Sequence, residues 1–299
     1  MKRVISAVLA VAVILTAVCL SACEEKKEYP VTLGKVTVAQ EPENIVVLNK
    51  NLADIVLTLG YEEKLAGRGD EVNQKGMKVV PEVGDSQSPS VKAILNTKSE
   101  LVLADNTLDP MVSDKLEKKG VTVFRFDEAN TPKQVKGLYK KLGRILGGEI
   151  SGTENAAKTY KELSSTLKSI GEASASDNTM IRTVAYLYID NGVLKTFNKG
   201  SWGDTMLGLT GAMNVFKNAE TEVVDNDSLS LSNPEFLIFA DMDTYEYLMS
   251  GKIAKKLNAL NNKPNRFIIP YDEITMQGDT SLDVLQKMIK KMFPQEFDL

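Results

Sequence analysis

The chain has 299 residues, with 36 basic and 40 acidic side chains for a net charge of −4, two cysteines and no histidine. Without imidazole, Ser-His-Asp and Cys-His catalysis, the usual zinc sites and imidazole ligation of haem iron are excluded. A mildly acidic balance does not suggest a nucleic-acid partner, and the length suffices for two modest domains or one large one.

In chain order, Lys2 and Arg3 precede an apolar run from Val4 to Leu20 and the small residues Ser21 and Ala22 before Cys23. A basic start, a short apolar core and small residues predict a secretory signal over 1–22 rather than a membrane span. Leu20-Ser21-Ala22-Cys23 resembles the bacterial lipobox, in which the cysteine is diacylated and becomes the first mature residue. Cys23 is then the lipidation site, and two acyl chains give a stable anchor where one is marginal. Cys19 leaves with the signal, so no thiol remains for disulfides, thiolate catalysis or metal binding. Loss of Lys2 and Arg3 takes the net charge to −6.

Residues 23–42 read as a lipidated tether followed by a first strand or hairpin. From 43 to 150, strands alternate with helices. Asn44–Leu48 is a strand, Leu52–Leu59 a helix stopped by Gly60, Lys64–Gly67 a second strand, Ser90–Asn96 a helix and Leu101–Ala104 a third strand ending in Asp105. Helix Pro110–Lys119, strand Val121–Phe126 and a helix opened by the capping box Thr131-Pro132-Lys133-Gln134 follow, and Gly147-Gly148 stops the last. Such alternation predicts a parallel sheet covered on both faces.

Ser151–Gly171 carries Ala156, Tyr160, Leu163, Leu167 and Ile170 as one apolar stripe, with Ser151 or Thr153 to cap it and Gly171 to end it. At about 1.5 Å per residue such a helix spans roughly 27 Å, and it reads as a strut between two lobes. From 172 to 299 the pattern restarts after a polar linker. Thr183–Ile189 and Val193–Phe197 form a hairpin about Asn191-Gly192, Asp204 caps a helix after a glycine-rich loop, and Phe236–Ala240 is a strand ending in Asp241. Helix Ile253–Leu260, strand Arg266–Pro270 and helix Leu282–Met292 complete it. Asp54–Gly60 parallels Asp204–Gly211, and Glu100–Asp105 parallels Glu235–Asp241, in the same order on either side of the strut. The predicted fold is α/β, with two lobes of parallel sheet joined by a single long backbone helix.

At this point the chain resembles the class III substrate-binding proteins that serve ABC importers for siderophores, haem and cobalamin. Residues 41–297 carry the likeness: Glu41–Leu48 with Asp54–Gly60, Val83-Gly84 through Ser99–Val102, Ser201–Val215, Asn233–Ile238 and the ending Phe293-Pro294-Gln295-Glu296-Phe297. Ser99-Glu100 stands where Pro-Asp is usual in the family. The resemblance implies two Rossmann-like lobes on one rigid helix with the ligand cleft between them, and permease docking by one carboxylate on each lobe; the single helical connection itself predicts limited hinge motion. On the second lobe this is Asp227, with Asp225 beside it. The matching first-lobe position holds Lys92, an opposite charge, with Asp85 or Glu82 as substitutes.

Ligand pockets in open α/β sheets form beyond the carboxyl ends of strands. That places Asn49, Lys50, Arg68, Asp85, Ser86, Gln87, Asp105 and Asn106 at the cleft in the first lobe. Arg68 is favoured because guanidinium can hold paired oxygens; an internal ion pair is its other reading. In the second lobe, Trp202 is either a platform for ligand or a plug over the core, and the platform is favoured. Tyr186 and Tyr188 share a strand face, where sheet packing competes with ligand contact. Lys199, Asp241, Tyr245 and Tyr271 follow strands and could supply polar contacts. Ser165 and Lys168 match the Ser-x-x-Lys spacing by chance.

The expected function is capture of a metal chelate outside the cytoplasmic membrane and its delivery to a permease and ATPase. A ferric siderophore comes first, because Arg68, Lys50 and Lys199 are cationic; a corrinoid comes second and haem third, with tyrosine or methionine as axial ligand. No intrinsic cofactor and a lipid-anchored monomer on the outer face of the membrane are expected. A membrane-anchored metal-carboxylate hydrolase and a non-transport sensor are the rival classes.

Overall fold

The computed structural model describes residues 27–175 and 181–294. Cys23, the signal and the Gln295-Glu296-Phe297 ending lie outside the described residues.

The first lobe begins with an antiparallel hairpin, β1 (Val31–Leu33) and β2 (Val36–Val38). Strands β3 (Ile45–Val47), β4 (Leu65–Arg68), β5 (Leu101–Asp105) and β6 (Thr122–Phe126) then form a parallel sheet of order β4-β3-β5-β6. β3 is buried at every residue, which is why its sequence is a continuous apolar run rather than an alternating one. Helices α1 (Lys50–Thr58), α2 (Val91–Asn96) and α3 (Pro110–Glu117) connect the strands. Asn49 caps α1 by accepting from the backbone N–H of Asn51 and Leu52, at 2.9 and 3.0 Å.

Helix α4 (Pro132–Gly147) carries the predicted capping box, with Thr131 and Gln134 serving each other's backbone. A five-residue π turn, Gly148–Gly152, then reverses the chain into α5 (Thr153–Ala175). The two helices lie antiparallel. The Tyr160 hydroxyl donates to the Pro132 carbonyl at 3.0 Å, and the Tyr139 and Tyr160 rings meet edge-on with centroids 5.2 Å apart. Glycine is required where they touch: a Cβ on Gly143 would stand 2.3 Å from the Gly152 carbonyl oxygen and 2.6 Å from the Ala156 Cβ. The strut begins at the first lobe, where the Asn155 amide donates to the Leu59 carbonyl at 3.0 Å, and runs into the second lobe. Gly171 does not end it. The helix continues to Ala175, and Gly171 instead allows close approach of the Leu209 carbonyl.

The second lobe is built on β7 (Thr183–Asp190), β10 (Phe236–Phe239) and β11 (Arg266–Ile268) in parallel, with β9 (Met213–Asn214) parallel and β8 (Val193–Lys195) antiparallel to β7. The β7–β8 turn takes positive φ at Asn191 and Gly192, as its Asn-Gly sequence requires. Helices α6 (Trp202–Leu209), α7 (Asn226–Ser232), α8 (Met242–Ser250), α9 (Asn258–Asn261), α10 (Tyr271–Ile274) and α11 (Thr280–Met292) surround the sheet. Ser201, not Asp204, caps α6: its hydroxyl accepts from the Asp204 N–H at 3.0 Å. The helix expected over 253–260 is split into a 3₁₀ turn, Lys252–Lys256, and α9.

Each sheet has an apolar cluster on its outer face, one including Val46, Ile94 and Leu116 and the other Leu187, Phe239 and Leu257. The inner faces share one core. It runs from Ile45 and Ile55 through Leu142 and Leu163 to Trp202, Ile238 and Leu285 without a break. Lobes packed on a common core resist wide separation, because opening them exposes apolar area at about 25 cal/mol per Å².

Candidate functional site

The lobes meet along a seam and open at a cleft, and polar chemistry differs between the two. In the seam, Asp54 of α1 is 2% exposed. Its carboxylate accepts from the Gly278 N–H at 2.6 Å and the Thr280 hydroxyl at 2.6 Å, with the Thr280 N–H at 3.4 Å. The Thr58 hydroxyl accepts from the Asp279 N–H at 2.8 Å. These are the free N–H groups at the start of α11, whose own cap residue Asp279 makes no side-chain cap bond. The first lobe thus caps the last helix of the second. Burial pushes the Asp54 carboxyl up to about 6, against the lowering effect of the Thr280 and Gly278 hydrogen bonds.

Further along the seam the Asn51 side-chain oxygen Oδ1 accepts from the Gln277 backbone N–H at 3.0 Å, the Tyr139 hydroxyl donates to the Gln277 carbonyl at 2.8 Å, and the Gln277 side-chain amide donates to the Ala129 carbonyl. Trp202 belongs here. It is 4% exposed, its indole N–H donates to the Met276 carbonyl at 2.8 Å, and its backbone N–H donates to the Asn130 carbonyl at 2.6 Å. The platform expectation is corrected: Trp202 is the plug, wedged between the lobes. A hollow of about 390 Å³ opens beside the seam between Lys50, Gln74, Met276 and Lys287, with walls from both lobes.

At the cleft, first-lobe side chains are largely engaged by their own loops. Arg68 donates to the carbonyls of Val80 and Gly69 at 3.1 Å each and pairs with Glu82 at 3.3 Å, its side chain only 13% exposed. The favoured ligand-clamping role is therefore corrected to the internal ion pair. Asn49 donates to Asp105 at 2.7 Å, and Asp105 also accepts from the Thr107 N–H at 2.8 Å. Asn106 donates to Asp127. Asp85 closes its own turn by accepting from Gln87 and Ser88 N–H at 2.8 and 2.6 Å, Ser86 reaches Asp70 at 3.4 Å, and Gln87 is exposed. Lys50 crosses the cleft to an ion pair with Asp272 of the second lobe.

The second-lobe wall is aromatic. Tyr186, fully buried, donates to the Ile269 carbonyl at 2.9 Å and stacks on Phe197, so it belongs to the core rather than the ligand surface. From it the rings step outward. Tyr188 and Phe197 lie 4.8 and 5.8 Å from the Tyr271 ring, and Tyr271 is 38% exposed. The Tyr188 hydroxyl reaches Glu222 at 3.3 Å. Burial, then the carboxylates of Glu128, Glu222 and Asp190, push the Tyr271 phenol up to about 12, Glu128 acting from the opposite lobe. Lys195 pairs with Asp190 at 2.6 Å, and no cation pairs with Glu128 or Glu222 among the described residues. Glu222 was missed by sequence reasoning because it does not follow a strand, and Glu128, two residues after β6, was passed over although Asn49 stands at the same offset after β3.

The remaining second-lobe candidates do not join this wall. Tyr245 packs edge-on to Phe239 on the outer face with the Arg266 guanidinium 5.3 Å from its ring, which corrects its cleft assignment. Asp241 caps α8 by accepting from the Thr244 N–H at 2.7 Å, and Lys199 is exposed on its loop. Asp225 caps α7, and backbone N–H groups hold its carboxyl below the usual range; Asp227 is exposed one turn in.

A family profile described as "Periplasmic binding protein" matches residues 45–269, three quarters of the chain. The chain belongs to this family. A cobalamin-binding protein of Halobacterium salinarum is 24% identical over 227 residues, 75% of this chain and 58% of the relative, so the match spans little more than half the relative's length. A possible iron-binding, periplasmic solute-binding protein of Staphylococcus epidermidis superposes with a TM-score of 0.69 at 20% identity, covering 85% of this chain and 100% of the other. An ABC-type Fe³⁺-hydroxamate transport protein of Saccharomonospora viridis superposes with a TM-score of 0.62 at 18% identity, covering 89% and 99%. At such identities these structures establish the family's two-lobed fold on one connecting helix.

Proposed function

We propose that the protein is the extracytoplasmic binding component of an ABC importer, anchored through lipidated Cys23, and that its cleft captures a ferric siderophore of the uncharged or cationic, hydroxamate kind. The observation that carries the reading is the charge of the cleft mouth. Arg68 and Lys50 are held in ion pairs with Glu82 and Asp272, whereas beside the rings of Tyr271 and Tyr188 the carboxylates of Asp190 and Glu222 share the Lys195 ammonium, which leaves that wall net negative. Such a wall repels a polyanionic catecholate complex and favours an apolar chelate of zero or positive charge. A corrinoid is the second reading, favoured by the cobalamin-binding relative that matches three quarters of this chain.

Docking to the permease, which the ATPase drives, uses the exposed first turns of α2 and α7. Lys92 and Asp227 occupy the same place, two residues after the caps Ser90 and Asp225. The deciding experiment titrates the protein with a ferric trihydroxamate, a ferric tricatecholate, cobalamin and haem, following Trp202 fluorescence and thermal unfolding. A ligand at 100 times its Kd stabilises the fold by about 2.7 kcal/mol. Stabilisation by the trihydroxamate and none by the tricatecholate is expected. The reverse order, or silence from all four, ends the reading.

A further inference from the structure

The aromatic wall has a shape that the charge argument alone does not use. Tyr188 and Tyr271 meet at 46° with centroids 4.8 Å apart, Phe197 backs both within 5.8 Å, and Glu222 sits at the Tyr188 hydroxyl. The exposed ring of the set is Tyr271, at the mouth. A ring flanked by carboxylates is a site for an organic cation: its π-face attracts positive charge within about 6 Å, and the carboxylates add a Coulomb attraction that water screens only in part. The same surroundings hold the Tyr271 phenol protonated, so it offers a ring and a neutral hydroxyl rather than a phenolate that could ligate a metal.

We propose that Tyr271 and Tyr188, with Glu222 beside them, form an alkylammonium subsite that selects chelates carrying a free amino group. The charged groups around it are accounted for as follows: Lys50 is matched by Asp272, and Lys195, paired with Asp190, also feels Glu222, so two carboxylates share one ammonium and net negative charge remains for the incoming cation. This rests on the hydroxamate reading for the body of the ligand, but the subsite can be tested apart from it.

The test compares a linear ferric trihydroxamate bearing one primary ammonium with its N-acetylated, uncharged derivative, and adds tetramethylammonium as a small probe read by ligand-observed NMR. The ammonium form is expected to bind about 10-fold more tightly than the acetylated form. Glu222→Gln and Tyr271→Leu should each bring that ratio near unity, whatever either does to the affinity for the acetylated form. Thermal unfolding checks that both variants are folded. Equal affinity for the two chelates in the unaltered protein, or a ratio that survives both substitutions, overturns the subsite. If neither chelate binds, tetramethylammonium decides. Binding lost in Glu222→Gln upholds the subsite and removes the hydroxamate reading, and no binding to the unaltered protein removes the subsite as well.

Discussion

The two lobes repeat one strand-helix pattern and put its polar residues to opposite uses. Asp54 and Asp204 correspond in the repeat and both are buried, at 2% and 7% exposure. Asp204 stays within its lobe, accepting from the Asn214 amide at 3.0 Å, whereas Asp54 reaches across and caps α11. At the cleft the contrast reverses. First-lobe side chains are tied down by their own turns, and the second lobe presents the open aromatic wall. One lobe therefore supplies the fastening and the other most of the recognition surface. Loops fastened by their own hydrogen bonds have little left to offer a ligand, while an exposed ring flanked by unpaired carboxylates gains by binding one.

The largest expected effect breaks the contrast at a second-lobe exception, Trp202. As a wedge in the seam, Trp202→Ala should lower stability by about 3–5 kcal/mol, read by urea unfolding. A loss below about 1 kcal/mol with a large fall in ligand affinity would restore the platform role.

Asp54 gives the next effect, with a defined sign. Its folded-state carboxyl titrates near 6 and its unfolded one near 3.8. The native state therefore holds this proton more tightly, and the stability so gained is present below about pH 4 and lost as pH rises through 6. Holding the carboxyl near 6 rather than 3.8 corresponds to about 3 kcal/mol. Relative to Asp54→Asn, the unaltered protein should lose about that much stability between pH 4 and 6.5. A flat difference across that range would show that Asp54 is ionised throughout and that the cap operates as a charge.

Much of the frame was legible because local chemistry dictates it. Ile45–Val47 and Leu101–Ala104 are apolar without alternation, Thr131 to Gln134 spells a capping box, and the stripe from Ala156 to Ile170 fits no structure but a helix. The antiparallel packing of α4 on α5 was less so, although Gly143 and Gly152, each incompatible with a Cβ, were its trace. The site was mostly hidden because its parts meet only on folding. Trp202 finds its acceptor 74 residues away, and Glu128, Glu222 and Tyr271 come from three separate segments. Arg68 misled because its partners, Val80 and Glu82, sit in a loop with no periodic signal. Asp54 did leave one: a carboxylate between Ala53 and Ile55, on the stripe of α1 that faces the core.

The smallest effect on stability concerns the remaining difference between the lobes, Lys92 against Asp227. Both stand in the first turn of a short capped helix, where backbone N–H groups favour negative charge. Asp227 suits that place and Lys92 opposes it, so Lys92→Glu should raise stability by a few tenths of a kcal/mol. Lys92 is exposed, and on the docking reading proposed above its charge faces the permease. Lys92→Glu should therefore weaken coupling to the permease while leaving ligand affinity unchanged, measured as stimulation of ATP hydrolysis by the loaded protein in reconstituted vesicles. Unchanged stimulation would remove Lys92 from the docking surface, and increased stimulation would mean that the permease meets both lobes with positive charge.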